Sequence, residues 1–115
     1  MRVLVILALT LAACGGSPTP TPAGTPAVTV EISATNNVFD RNELSVIADA
    51  PFAVRFQNND VVPHNVAVRG GATPLVGEIF TGPAERTYFF PQLPQGSYTF
   101  VCDVHPEMKS AFLSN

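Results

Sequence analysis

The chain has 115 residues, 46% of them hydrophobic and 13% charged, with a formal net charge of −3. That length suits one domain, and so mild a charge, with no block of one sign, argues against nucleic-acid binding. Two Cys, two His and two Met leave little material for a metal-rich tract or an elaborate active site.

Arg2 is the one charge before Glu31, and Val3 to Leu9 is an unbroken apolar run. The run is too short to span a bilayer and reads as the hydrophobic part of an export signal. Leu11-Ala12-Ala13-Cys14 resembles the lipobox of bacterial lipoproteins, which implies cleavage before Cys14 and lipidation of its thiol; a plain signal peptide with an incidental Cys is the alternative. More than one acyl chain would hold the protein stably at a membrane surface. Residues 15–26 (GGSPTPTPAGTP) carry four Pro and three Thr and cannot form a core. Pro-rich chain favours polyproline II at ~3.1 Å per residue, so this tether could hold a domain up to ~35 Å from the membrane. The expected division is residues 1–13 as signal peptide, 14–27 as lipidated Cys and linker, and 28–115 as the folded domain.

From Val28 the pattern changes. Val28-Thr29-Val30-Glu31-Ile32-Ser33 alternates apolar and polar, as a half-buried strand does. Phe39, Leu44, Val46 and Ile47 follow, with Asn36-Asn37 and Asp40-Arg41-Asn42 as turn material. Asp49-Ala50-Pro51 is a turn, and Phe52, Val54 and Phe56 share one face of the next strand. Asn58-Asn59-Asp60 turns the chain again. In the run Val61 to Val68, Pro63 pushes its predecessor towards an extended conformation and donates no hydrogen bond, so His64 stands at a strand entrance. The two-residue period puts His64 on the face of Val66 and Val68. Leu75 to Phe80 fits either a strand or a loose loop, and Arg86 to Phe90 reads as a strand. Leu93 to Tyr98 resembles a tyrosine corner, whose phenol bonds back to the chain upstream. Tyr98, Phe100 and Cys102 then share the inward face, and Ser110-Ala111-Phe112-Leu113 is a short last strand. No stretch keeps a helical period beyond one turn. Short strands with Gly/Pro/Asn turns predict an all-β, antiparallel Greek-key sandwich of about seven or eight strands.

The chemistry concentrates in Cys102-Asp103-Val104-His105-Pro106-Glu107-Met108. A thiolate, an imidazole and a thioether sit three residues apart and three apart again, on a loop that leaves a strand end and can bring them to one point. Soft sulfur ligands with imidazole suit copper, and two His with one Cys and a weak axial Met is the electron-transfer copper pattern. The second imidazole has to come from His64, the only other His. Singly, each residue has an ordinary reading: a turn His, a core-filling Met, an inert buried Cys. It is the set that points to a metal. A free Cys102 also needs explaining. Two Cys in an exported chain suggest a disulfide by default, but a lipidated Cys14 leaves Cys102 without a partner, and a bound ion would occupy it.

Cys-x2-His-Pro-x-Met after Gly-x-Tyr-x-Phe-x-Cys, with Pro63-His64-Asn65 upstream, resembles the type 1 blue copper proteins, or cupredoxins. The short gap from His105 to Met108 is similar to that of the amicyanin/plastocyanin type. The resemblance spans roughly residues 28 to 115, and Asn37-Val38-Phe39 resembles an irregular stretch found before the family's second strand. It implies one copper per chain, with His64, Cys102 and His105 as trigonal ligands and Met108 as the long axial one. It implies that Asn65 ties its loop to the Cys loop by hydrogen bonds. Pro106 stiffens the loop and withholds an N–H from the thiolate. His105 should be the ligand nearest solvent, in an apolar patch of Val61, Pro63, Val104 and Pro106 where a redox protein donor and acceptor dock. Asp103 and Glu107 flank the loop and could steer a basic partner. The expected protein is a monomeric one-electron carrier, not an enzyme, lipid-anchored and facing the periplasm or cell exterior.

Other functions fit less of the sequence. A periplasmic or extracellular copper chaperone or scavenger often carries Met- or His-rich tracts, which this chain lacks. A binuclear copper site needs a second Cys in the loop. A zinc hydrolase could use Cys and two His, but no carboxylate is clearly placed as a base and Met108 would have no task. A purely structural or adhesive sandwich leaves the ligand set unexplained.

Overall fold

Alternating apolar residues and frequent Asn, Gly and Pro turns yield eleven strands among the described residues, 25–72 and 74–115 of a computed structural model. They are β1 (Val28–Thr35), β2 (Val38–Phe39), β3 (Glu43–Val46), β4 (Phe52–Asn58), β5 (Pro63–His64), β6 (Ala67–Arg69), β7 (Leu75–Val76), β8 (Phe80–Thr81), β9 (Ala84–Phe90), β10 (Gly96–Val101) and β11 (Lys109–Ser114). The described residues contain no helix. Cys14 and the rest of the expected signal and most of the tether lie outside the described residues.

Two sheets face each other. One has the order β2-β1-β4-β9, the other β3-β11-β10-β6-β7, and β5 and β8 form a separate two-stranded piece. The expected β-sandwich is present. Seven strands have three or more residues, and the four two-residue pieces account for the higher count. Pairing is mixed, because β1 runs parallel to β4 and β11 parallel to β3. The short last strand is not an edge: β11 pairs with β10 on one side and β3 on the other.

Aromatic side chains from both sheets make the core. Phe52 and Phe56 of β4 and Phe100 and Phe112 of β10 and β11 are fully buried. Phe100 stacks on Phe112 with ring centroids 4.2 Å apart, and Phe112 meets Phe52 across the sheets at 5.5 Å. Burying each such ring is worth roughly 1.5–3 kcal/mol. The tyrosine corner forms, with the Tyr98 hydroxyl donating to the Pro94 carbonyl at 2.8 Å.

The register fixes the two poles. Val28 lies opposite Phe52, which lies opposite Phe90, and at the other end Ala34 lies opposite Asn58, which lies opposite Ala84. The chain therefore enters at the Phe52–Phe90 pole. Asn58 leads into the Asp60–His64 segment at the other pole, and β10 delivers Cys102 there as well.

Candidate metal centre

Cys102 is the first residue past β10, and it is buried. Its amide donates to the Met108 carbonyl at 3.1 Å, and the Met108 amide donates to the His105 carbonyl at 2.9 Å. These two bonds close the seven-residue loop and return the chain to β11. Met108 is buried and His105 half-buried.

His64 arrives differently. The strand expected to start at His64 and run on through Val66 and Val68 is broken in two: β5 ends at His64 and β6 begins at Ala67. The break occurs because β5 pairs with β8, placing His64 opposite Phe80, while β6 belongs to the large sheet. Leu75–Phe80 resolves into the short strand β7, a loop and the start of β8. Buried Asn58 holds this piece together, its side-chain amide donating to the carbonyls of Val62 and Phe80 at 3.0 Å each. A side chain at position 82 would run into the Asn58 and Asp60 carbonyls, so only Gly82 permits this approach.

The donor atoms converge. Cys102 Sγ lies 3.7 Å from His64 Nδ1 and 3.8 Å from His105 Nδ1, and the two Nδ1 atoms are 3.1 Å apart. A transition ion holding imidazole nitrogens at ~2.0 Å and a thiolate at ~2.3 Å needs its donors roughly 3–4 Å apart. The triangle fits. Among the described residues, His64, Cys102 and His105 are the grouping of such residues with metal-holding geometry.

The orientation of His64 is set from behind. Its Nε2 lies 2.7 Å from Asp60 Oδ2. Asp60 also accepts from the amides of Asn36 at 2.7 Å and Asn37 at 3.0 Å. An ionised carboxylate only accepts, so His64 Nε2 donates to it, and Nδ1 is the nitrogen that faces the thiol and His105. Hydrogen bonds from the Asn37 amide, then His64, then the Asn36 amide hold the Asp60 carboxyl below the usual carboxylate range, against an opposing effect of burial.

Asn65 joins the segment that carries His64 to the one that carries Cys102. Its side-chain amide donates to Asp103 Oδ2 at 2.9 Å and to the Gly77 carbonyl at 3.0 Å, and its Oδ1 accepts the Asp103 amide at 2.8 Å. Asp103 also pairs with Arg69. Its carboxylate is thus engaged by Asn65 and Arg69, whereas Glu107, the other loop acid, makes no ion pair among the described residues. Gly77 is needed because Tyr88 lies over it: a Cβ there would sit 2.7 Å from the ring. The Tyr88 hydroxyl donates to the Glu78 carbonyl at 2.6 Å, and its pKa is raised, first by burial and then by the Glu78 charge.

Val61, Pro63, Val104 and Pro106 are exposed, as are Val62 and Ile79. Asp60 escaped the sequence reading. In Asn58-Asn59-Asp60 it looks like one more turn residue, and nothing local reveals that its carboxylate reaches the Asn36-Asn37 turn and His64.

The chain is similar to known proteins in sequence and in fold. The family profile described as a Cupredoxin-like domain matches residues 3–113. Auracyanin-A of Chloroflexus aurantiacus is 39% identical over 80 residues, covering 62% of this chain but only 49% of that protein. A structure of auracyanin A from that bacterium, a "blue" copper protein, superposes with a TM-score of 0.65 at 23% identity, covering 76% of this chain and 98% of that one. Amicyanin-alpha of Methylorubrum extorquens is 31% identical over 87 residues, covering 73% of this chain and 70% of the relative. The amicyanin of Paracoccus versutus superposes with a TM-score of 0.60 at 27% identity, covering 81% of this chain and 87% of that one.

Proposed function

Since the chain belongs to the cupredoxin-like family, we propose that it is a mononuclear type 1 copper protein that carries single electrons between redox partners. The observation that carries this reading is the convergence of His64, Cys102 and His105 at one pole, their donor atoms 3.1–3.8 Å apart. In this reading those three residues are the strong ligands and Met108 is the axial one. Copper when bound would supply a one-electron couple between Cu(II) and Cu(I). The chain's own residues hold the donors in place. His64 is pinned by Asp60, Cys102 and Met108 are tied by the loop's two hydrogen bonds, and Asn65 locks the two segments together. A frame that keeps one geometry in both oxidation states moves little on electron transfer.

Half-buried His105 is the route outward, with the apolar patch of Val61, Pro63, Val104 and Pro106 around it as the docking face for donor and acceptor. Export and lipidation at Cys14 complete the proposal. The tether would leave from the Phe52–Phe90 pole, so the docking face would point away from the anchored end. Mass spectrometry of the membrane-derived chain tests the anchor: a diacylated Cys14 as the first residue supports it, and an unmodified Cys14 removes it.

The full chain loaded with Cu(II), beside Met108→Ala and Cys102→Ser, tests the centre. An intense blue thiolate-to-copper band, lost in Cys102→Ser and altered in Met108→Ala, is expected. A colourless protein that still binds copper, or prefers zinc, moves the function to metal handling.

A further inference from the structure

We propose that Asp60 is a positioning residue of the metal centre, and that the Asn36-Asn37 turn, which touches no ligand, sets the centre's reduction potential by clamping it. The inference rests on the copper reading above. Asn36 and Asn37 both have positive φ, 53° and 60°, and form the two-residue turn between β1 and β2, where Thr35 pairs with Val38. Paired positive φ is the geometry of a tight hairpin turn, and Asn tolerates it better than most residues. It also aims two successive backbone amides at one point, making a small anion-binding concavity. The Asp60 carboxylate fills that concavity, with Oδ1 on the Asn36 amide and Oδ2 on the Asn37 amide. Oδ2 then accepts from His64 Nε2 at 2.7 Å.

Three donors on one carboxylate leave it little freedom to rotate. The Asp60 amide donates to Asn58 Oδ1 at 2.9 Å, and the next residue back is fixed too, because the Asn59 amide donates to the Ala34 carbonyl at 2.9 Å. The Asn59 side chain adds a bond to Thr35 Oγ1 at 3.0 Å. The hairpin, the carboxylate and the buried imidazole therefore form one braced unit. A carboxylate behind a ligating His fixes the tautomer and raises the basicity of the ligating nitrogen. Its negative charge and the stronger donor favour the more positive metal state, Cu(II), over Cu(I). Loss of the clamp should raise the reduction potential.

Asp60→Asn is the direct test. An Asn there can turn only one oxygen towards three donors, and its NH2 would face an N–H. Loss of a partner of this kind typically costs 10–100-fold in metal affinity. We expect Cu(II) affinity to fall about tenfold more than Cu(I) affinity, which is a rise of about 59 mV for a one-electron couple. Nitrogen-15 NMR of the metal-free protein gives a readout independent of copper. The His64 ring should carry its proton on Nε2 in the parent chain and lose that strict preference in Asp60→Asn. Two turn variants separate clamping from packing. Asn37→Gly keeps positive φ and should leave the affinity ratio unchanged, whereas Asn37→Val disfavours it and should raise the potential in the same direction as Asp60→Asn. An affinity ratio within twofold of the parent in Asp60→Asn, or an Nε2-protonated His64 that persists in it, overturns the inference. If Asp60→Asn does not fold, Asn37→Val decides alone: a raised potential supports the clamp and an unchanged one overturns it. A parent chain that never turns blue overturns the copper reading instead, and the NMR arm still decides the clamp.

Discussion

His64 and His105 close on the same thiol, yet they are held in opposite ways. His64 has no exposed surface, stands on a strand paired to β8, and has its far nitrogen bonded to Asp60. His105 is half-buried on a loop, and among the described residues its far nitrogen has no protein hydrogen bond. One imidazole belongs to the framework and the other to the surface. This division suits an electron carrier, since a fixed half preserves the geometry and an open half meets the partner. It also divides the ways in which the centre can fail.

The largest effect should come from deleting each ring in turn. His64→Gly and His105→Gly each remove one of the three strong donors and should abolish the blue band. Added imidazole should restore it in His105→Gly, where the gap opens to solvent, and not in His64→Gly, where the gap is buried behind Asp60 and Phe80. Equal rescue at both positions, read from the visible spectrum, would break the comparison.

A smaller effect tests the framework half without touching a donor. Gly77 lies beneath the Tyr88 ring, and its carbonyl accepts from Asn65, the residue joined to the Cys loop. Gly77→Ala forces the added methyl against that ring. Overpacking of this kind costs typically ~1–3 kcal/mol, and for a domain of this size each kcal/mol lowers Tm by about 4–8 °C. Thermal unfolding of the metal-free chain checks the loss. An unchanged Tm would mean that the 66–79 segment yields more easily than its buried hydrogen bonds imply.

The two halves were not equally legible in the sequence. The surface half is local: Cys102, His105 and Met108 lie within seven residues, so their spacing alone suggests one ion. Phe52, Val54 and Phe56 were legible for a similar reason, because alternation records which face is buried. The framework half is long-range. Asp60 meets an amide 24 residues earlier, and Asn65 meets a carboxylate 38 residues later. Neither separation leaves a periodic trace. The parallel pairings of β1 with β4 and β3 with β11 were hidden likewise, since alternation gives the face of a strand and not its neighbour. The break after His64 escaped because the two-residue period runs through Val66 without registering that β5 and β6 serve different sheets.

The smallest expected effect lies on the surface half, at Pro106. Among the described residues, Cys102 Sγ has only the two His rings within hydrogen-bonding reach, and no backbone amide donates to it. Pro106 follows His105 and has no N–H to offer. Pro106→Ala restores one. A donor near the sulfur stabilises the electron-rich thiolate of the reduced centre more than that of the oxidised one, so the potential should rise. A hydrogen bond of ordinary net strength, ~1 kcal/mol, corresponds to roughly 40 mV in a one-electron couple. A redox titration of the variant against the parent measures it. A rise that adds to that of Asp60→Asn in the double variant means that the two halves tune the centre independently, as expected for sites without shared partners. No rise in Pro106→Ala means that the potential is set on the framework side alone, and that the loop proline shapes the docking face rather than the couple.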